Sequence, residues 1–133
     1  MKLFSLLLLA LTAVVPALAA RSPGCGKNPT IRNGEYSMTV NGKTRQYIVR
    51  LPDNYNSNTA YRLVFTFHAL NGNFRQIANE GYYGLPPLMT GSNAAIFVSP
   101  NGLNAGWANS GGEDVTFVDQ MVNTIENHLC VEQ

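Results

Sequence analysis

Only two cysteines, two histidines and one tryptophan occur in the 133 residues, and charged residues make up just 13% of them. His68 and His128 stand alone, and no CxxC or HxxxH spacing exists. Zinc is therefore not expected, because its ligands come as such paired side chains. There is no Lys/Arg cluster and no acidic tail. Tracking a phosphate backbone or an anionic membrane surface needs clustered positive charge, so neither nucleic acid nor membrane is an expected partner. After residue 20 no segment is apolar enough to cross a bilayer. Internal repeats, low-complexity runs and interdomain linkers are missing too. The one N-x-[ST] triplet, Asn28-Pro29-Thr30, is blocked as a glycosylation site by its proline.

What is present begins with a long apolar run. Lys2 supplies a positive start, Leu6 to Val15 an apolar core, and Pro16-Ala17-Leu18-Ala19-Ala20 small residues for cleavage after Ala19 or Ala20. The run is too short for a spanning helix, so residues 1–20 read as a secretory signal peptide. The mature chain, 21–133, is expected to be secreted and soluble. Without Lys2 it carries eight basic and eight acidic residues, a formal charge of zero. That balance suits a neutral substrate. The length allows one modest domain with a real core. Cys25 and Cys130 would meet an oxidising compartment, where they either pair with each other or with a cysteine elsewhere.

Along the chain, Gly24 to Pro29 forms a turn-rich opening. Glu35–Val40 and Thr44–Leu51 flank Asn41-Gly42, the strongest short hairpin signal. After a surface loop, Leu63–Phe67 reads as a buried strand of the kind found in the centre of a sheet. Asn73, with Gln76 three residues on, marks a helix start, and Gly81, Gly84 and Pro86-Pro87 keep that helix short. Ala94–Ser99 is a second buried strand. Asp114–Leu129 is the best helix, with Val115, Val118, Met121, Val122, Ile125 and Leu129 at helical spacing. Hairpin, strand, helix, strand, helix is the opening half of an α/β sheet fed by an antiparallel edge. The last helix still calls for a strand beside it.

Open α/β sheets place ligand loops at the carboxyl ends of their strands. His68-Ala69-Leu70-Asn71-Gly72 is such a loop. Acyl-transfer enzymes of this layout use backbone N–H groups there to stabilise an oxyanion, the second donor following a serine on a sharp strand-to-helix elbow. The bland reading of His68 is a residue that ends a strand and bonds to nearby backbone. Ala108-Asn109-Ser110-Gly111-Gly112 imitates the elbow, yet loop rather than strand precedes Ser110, so Ser110 reads as a turn residue. Ser92 and Ser99 lack even that motif, and no nucleophile is expected among these residues. Glu113-Asp114 is better explained by the positive end of a helix than as an acid/base pair. Trp107 either lines a pocket for an aromatic or sugar-linked substrate or plugs the core beneath its loop. Tyr82-Tyr83 fits loop packing better than a pocket wall.

Taken together, Gly24-Cys25-Gly26-Lys27, the strand end Tyr47–Pro52, Phe67 to Asn73 and Pro100 to Val115 resemble the secreted feruloyl esterases of fungi. That family is related to the polyhydroxybutyrate depolymerase-like α/β hydrolases. The resemblance covers nearly the whole mature chain. It implies an α/β-hydrolase fold, of which 21–133 is the N-terminal portion, stopping before the nucleophile elbow. It implies hydrolysis of ferulate esters, on arabinoxylan or as small esters, by a Ser-His-Asp triad without metal or organic cofactor. All three triad positions would fall beyond Gln133. His68, Ala69 and Leu70 carry over as the oxyanion loop and Trp107 as a substrate-side residue. Ala69 stands where many related esterases carry glycine after the histidine, which leaves both Ala69 and Leu70 as candidate donors. Two alternatives remain: an acetylxylan esterase or polyester depolymerase of the same family, and a non-catalytic carbohydrate-binding protein using Trp107 and the tyrosines as stacking platforms.

Overall fold

A computed structural model describes residues 20–133. The expected signal peptide lies, but for Ala20, outside these residues. Strands β1 (Gly34–Val40) and β2 (Lys43–Arg50) form the expected hairpin. Asn41 and Gly42 both take positive φ, 49° and 76°, which gives a two-residue turn the right-handed twist its strands need. β3 (Arg62–Phe65) leads through a loop to helix α1 (Phe74–Asn79), and β4 (Ala95–Pro100) leads through another to helix α2 (Glu113–His128). The sheet order is β1-β2-β4-β3, antiparallel except for the β3–β4 pair, which is parallel. This is a mixed α/β fold.

β4, not β3, holds the central place. All six of its residues are buried, alternating between two cores. Ile96 and Val98 face α2 with Tyr47, Val49, Phe117, Met121, Ile125 and Leu129; Ala95 and Phe97 face the opposite side with Ile77 and Tyr82. Each such large side chain is worth about 1.5–3 kcal/mol of burial, so this strand anchors the domain from both faces. β3 ends two residues earlier than expected and is only partly buried, and Phe67 is 40% exposed. The reason is its position: among the described strands it is outermost, and beyond it only Tyr61 pairs further, in parallel with Val131.

Both helices start near the expected residues. The Asn73 side chain accepts the Gln76 N–H at 3.0 Å and caps α1. In α2 the residues facing the sheet are Phe117, Met121 and Ile125, a stripe at four-residue spacing. Val115, expected on that stripe, is 57% exposed; with Val118 it sits on a flank beside Phe67 and Trp107. Cys25 and Cys130 are bonded to each other, which closes the alternative of a partner elsewhere. Around them, Ser22 Oγ donates to Leu129 O at 2.7 Å, the Val131 N–H donates back to Ser22 Oγ at 2.9 Å, and Gly24 N–H reaches Glu126 O at 2.7 Å. The amino-terminal arm is thus clasped to the end of α2. Among the described residues no helix is long and apolar enough to cross a membrane.

Candidate functional site

The loops after β3 and β4 meet at the carboxyl end of the parallel strand pair. Thr66 still holds the sheet, its N–H donating to Val98 O at 2.8 Å. Ser99 secures the ground beneath: its buried hydroxyl donates within 3.3 Å of Thr66 O and 3.1 Å of Phe74 O. Beyond Thr66 the chain leaves the ladder.

His68 is only 2% exposed, and both ring nitrogens are committed. The Gly102 N–H donates to Nε2 at 2.9 Å, and Nδ1 lies 2.8 Å from Ala69 O. A nitrogen that accepts carries no proton, so the proton is on Nδ1 and is given to Ala69 O. The imidazole is thus a bracket between two loops rather than a base or ligand. Gly102 makes the bracket possible. A Cβ there would sit 2.1 Å from Gly106 O and 3.2 Å from His68 Nε2.

Three successive carbonyls of the loop are occupied. The Tyr83 hydroxyl donates to Phe67 O. Trp107 Nε1–H donates to His68 O at 3.0 Å. Ala69 O accepts from His68 Nδ1–H and from the Gly72 N–H at 2.9 Å. The Asn71 N–H is used as well, on Ala105 O at 2.8 Å. By contrast, among the described residues nothing accepts from the N–H groups of Ala69 and Leu70. Both residues are exposed, Leu70 by 77%. Two adjacent exposed donors without acceptors, each in a peptide whose carbonyl is already engaged, can receive an anionic oxygen.

Trp107 is half-buried, with its ring centroid 5.0 Å from those of both His68 and Phe67. It borders two hollows: one of about 430 Å³ with Leu70, Leu103 and Lys43, another of about 400 Å³ with Phe67, Val115 and Val118. Its polar edge, however, is spent on the His68 carbonyl. Tyr82 points into the core, where burial raises its hydroxyl above the ordinary phenol value and the nearby Arg50 partly offsets the effect. Tyr83 is exposed and, with Leu70 and Gln76, lines a groove of about 320 Å³.

One buried group escaped the sequence reading. Arg45 is 1% exposed, donates to Asp114 Oδ1 at 2.7 Å and to Asn101 O at 3.3 Å, and lies 4.2 Å over the Phe117 ring. Asp114 Oδ2 in turn accepts the Asn109 N–H at 2.7 Å, while Asn109 Oδ1 accepts from Asp114 and Val115. Asn109 thereby caps α2 from outside, since Gly112 has no side chain to do so. Strand alternation carried the signal: Arg45, Tyr47 and Val49 share the inward face, and a buried arginine demands a carboxylate. Glu113 meets a different cation, Lys43, at 2.6 Å. The two adjacent carboxylates stand at the start of α2, as expected, and each also meets its own cation from β2, which that position did not indicate. Ser110 lies exposed in a tight turn between Asn109 and Gly111, both of positive φ, with no strand before it. Among the described residues no three His, Cys, Asp or Glu side chains are grouped to hold a metal ion.

Comparison with known proteins adds a direction. No family model matches the chain. It is 52% identical to feruloyl esterase D of Neurospora crassa over 94% of its length, covering 47% of that protein. It is 45% identical to feruloyl esterase C of Emericella nidulans and 46% identical to a probable feruloyl esterase C of Aspergillus niger, over 95% of its length and 46% of each of theirs. The chain thus spans just under half the length of the curated relatives it matches. Along nearly all of its own length, it is a homologue of fungal feruloyl esterases.

Proposed function

We propose that this chain is the oxyanion-side portion of a secreted feruloyl esterase with an α/β-hydrolase fold. The observation that carries the reading is the free pair of amides at Ala69 and Leu70, at the carboxyl end of a parallel strand. In such hydrolases one oxyanion donor comes from the loop after the third strand and the other from the residue following the nucleophilic serine. The names of the relatives supply the ester class. The Cys25–Cys130 bridge fits an oxidising compartment, and with the apolar opening of the sequence it supports secretion.

In this mechanism a serine from the part of the enzyme that the chain does not span attacks the ferulate carbonyl. Its oxygen gains negative charge, which the amides of the 68–70 loop stabilise without reorganising, since their carbonyls are already tied. Collapse expels the alcohol, a sugar hydroxyl of arabinoxylan or a simple alcohol, and leaves a feruloyl-enzyme that water cleaves. His68 keeps the loop in shape and moves no proton.

The complete protein is expected to hydrolyse methyl ferulate, with inhibition by a serine-directed phosphonate. Residues 21–133 alone are expected to give no inhibitor-sensitive turnover. Activity of 21–133 by itself would sink the assignment of the nucleophile to the unspanned part. A complete protein that ignores feruloyl esters but cleaves acetyl or hydroxybutyrate esters would sink the substrate.

A further inference from the structure

Every peptide bond described here is trans, because no cis bond occurs. In a trans peptide the carbonyl of one residue and the N–H of the next lie in one plane and point in opposite directions. Fixing a carbonyl therefore aims the amide behind it. The His68 carbonyl, held by Trp107 Nε1–H at 3.0 Å, shares its plane with the Ala69 N–H. The Ala69 carbonyl, held by the His68 ring at 2.8 Å and the Gly72 N–H at 2.9 Å, shares its plane with the Leu70 N–H.

We infer that Trp107 and His68 are positioning residues that aim the Ala69 and Leu70 amides, each through the carbonyl of the same peptide plane. The inference rests on the esterase reading above and deepens it. Trp107 changes role accordingly. With its indole N–H committed and its ring against His68 and Phe67, it acts on the loop rather than as a stacking platform for substrate. His68 is itself braced by the Gly102 N–H, so both aiming groups are tied to the segment that follows β4. Tyr83 provides an internal contrast. Its hydroxyl holds the Phe67 carbonyl, whose plane carries the His68 N–H and neither proposed donor.

The test is made in the complete protein with methyl ferulate. Trp107→Phe, and separately benzothienylalanine at position 107, which replaces the N–H by sulfur in nearly the same shape, are each expected to lower kcat about tenfold with KM within about twofold. That is the scale of one lost neutral hydrogen bond, and less than the roughly 10²-fold loss on deleting an oxyanion donor outright. Tyr83→Phe is expected to change kcat by less than about threefold, since the bond it loses aims a different amide. A raised KM with kcat unchanged at position 107 would make Trp107 a substrate contact and overturn the inference. So would equal losses from Trp107→Phe and Tyr83→Phe, which would mean general loosening of the loop. The carbonyl ¹³C resonance of His68 is independent of turnover. In both position-107 variants it should move to the value of a carbonyl without a donor. If the complete protein cleaves no feruloyl ester, the esterase reading fails while this resonance still judges the aiming bond. An unmoved resonance overturns the inference even in an active enzyme.

Discussion

The two ends of β3 are held in opposite ways. At the amino end Tyr61 is caught between the backbones of Cys130 and Glu132, and the arm from Arg21 to Cys25 is lashed to the last turn of α2 by backbone bonds, Ser22 and a disulfide. At the carboxyl end side chains hold the backbone: Tyr83 on Phe67, Trp107 on His68, His68 on Gly102 and Ala69, Arg45 on Asn101. A backbone bonded to itself has consumed its donors along with its acceptors. Where the grip is a side-chain donor, as at Phe67, His68 and Ala69, the backbone loses only its acceptors and keeps its amides for a ligand. Among these contacts only Gly102 spends its amide, on the His68 ring. Rigidity at the first end is structural, and at the second it coexists with unspent hydrogen-bonding capacity.

The largest disturbance is expected from Arg45→Ala, at the carboxyl end. It strips the buried Asp114 carboxylate of its cation and leaves the Asn109 N–H as its remaining hydrogen-bond partner. Breaking a buried pair by removing one partner costs about 3–5 kcal/mol, and urea unfolding should lose stability on that scale. Arg45→Met with Asp114→Leu removes both charges, and stability should largely return. The loop tied through Asn109 should not, so Trp107 fluorescence should stay altered in the double variant. A loss below about 1 kcal/mol for Arg45→Ala would place this ion pair among those that contribute nothing measurable.

The clasp at the other end is next. Cys25→Ser with Cys130→Ser opens a loop closed over a separation of 105 residues. Removing such a bridge costs about 2–4 kcal/mol. Stability should fall by that amount, read from the shift of the unfolding midpoint. In the complete protein, kcat on methyl ferulate should hold at temperatures well below the transition, because the aiming bonds lie at the far end of β3. A kcat that falls with the bridge would show that the two ends are coupled.

How much of this could be read beforehand follows from the range of each interaction. Asn41-Gly42, the Asn73 cap and the apolar run of β4 are local signals, and the structure reproduces them. That His68 and its neighbours form a loop after a strand was legible as well. What the ring does was not, since Gly102 lies 34 positions away and Trp107 39. Arg45 and Asp114 are 69 apart, and nothing local to either names the other. Phe117 was displaced from the expected helix stripe by the neighbouring valines. Three of them, Val115, Val118 and Val122, recur with helical spacing, but the sheet selects the face carrying Phe117, Met121 and Ile125. Sheet order belongs to the same class: β3 looks central by composition, yet β4 occupies the middle.

Two glycines sharpen the contrast with the smallest effects. Gly24 and Gly102 both sit where an added Cβ would strike backbone, Leu129 O at 2.3 Å and Gly106 O at 2.1 Å, and neither has the positive φ that favours glycine. The penalty in each case is steric, about 1–3 kcal/mol for forcing extra volume into a packed place. Matched costs should have unmatched consequences. Gly24→Ala pushes the arm off Leu129 and should leave the His68 ring untouched. Gly102→Ala moves the amide that donates to Nε2, with the new methyl also within 3.2 Å of that nitrogen. The ¹⁵N resonance of Nε2 should therefore shift in Gly102→Ala and stay fixed in Gly24→Ala. Equal shifts would mean that strain at the clasp reaches the loop through the sheet, and that the division between a structural end and a functional end does not hold.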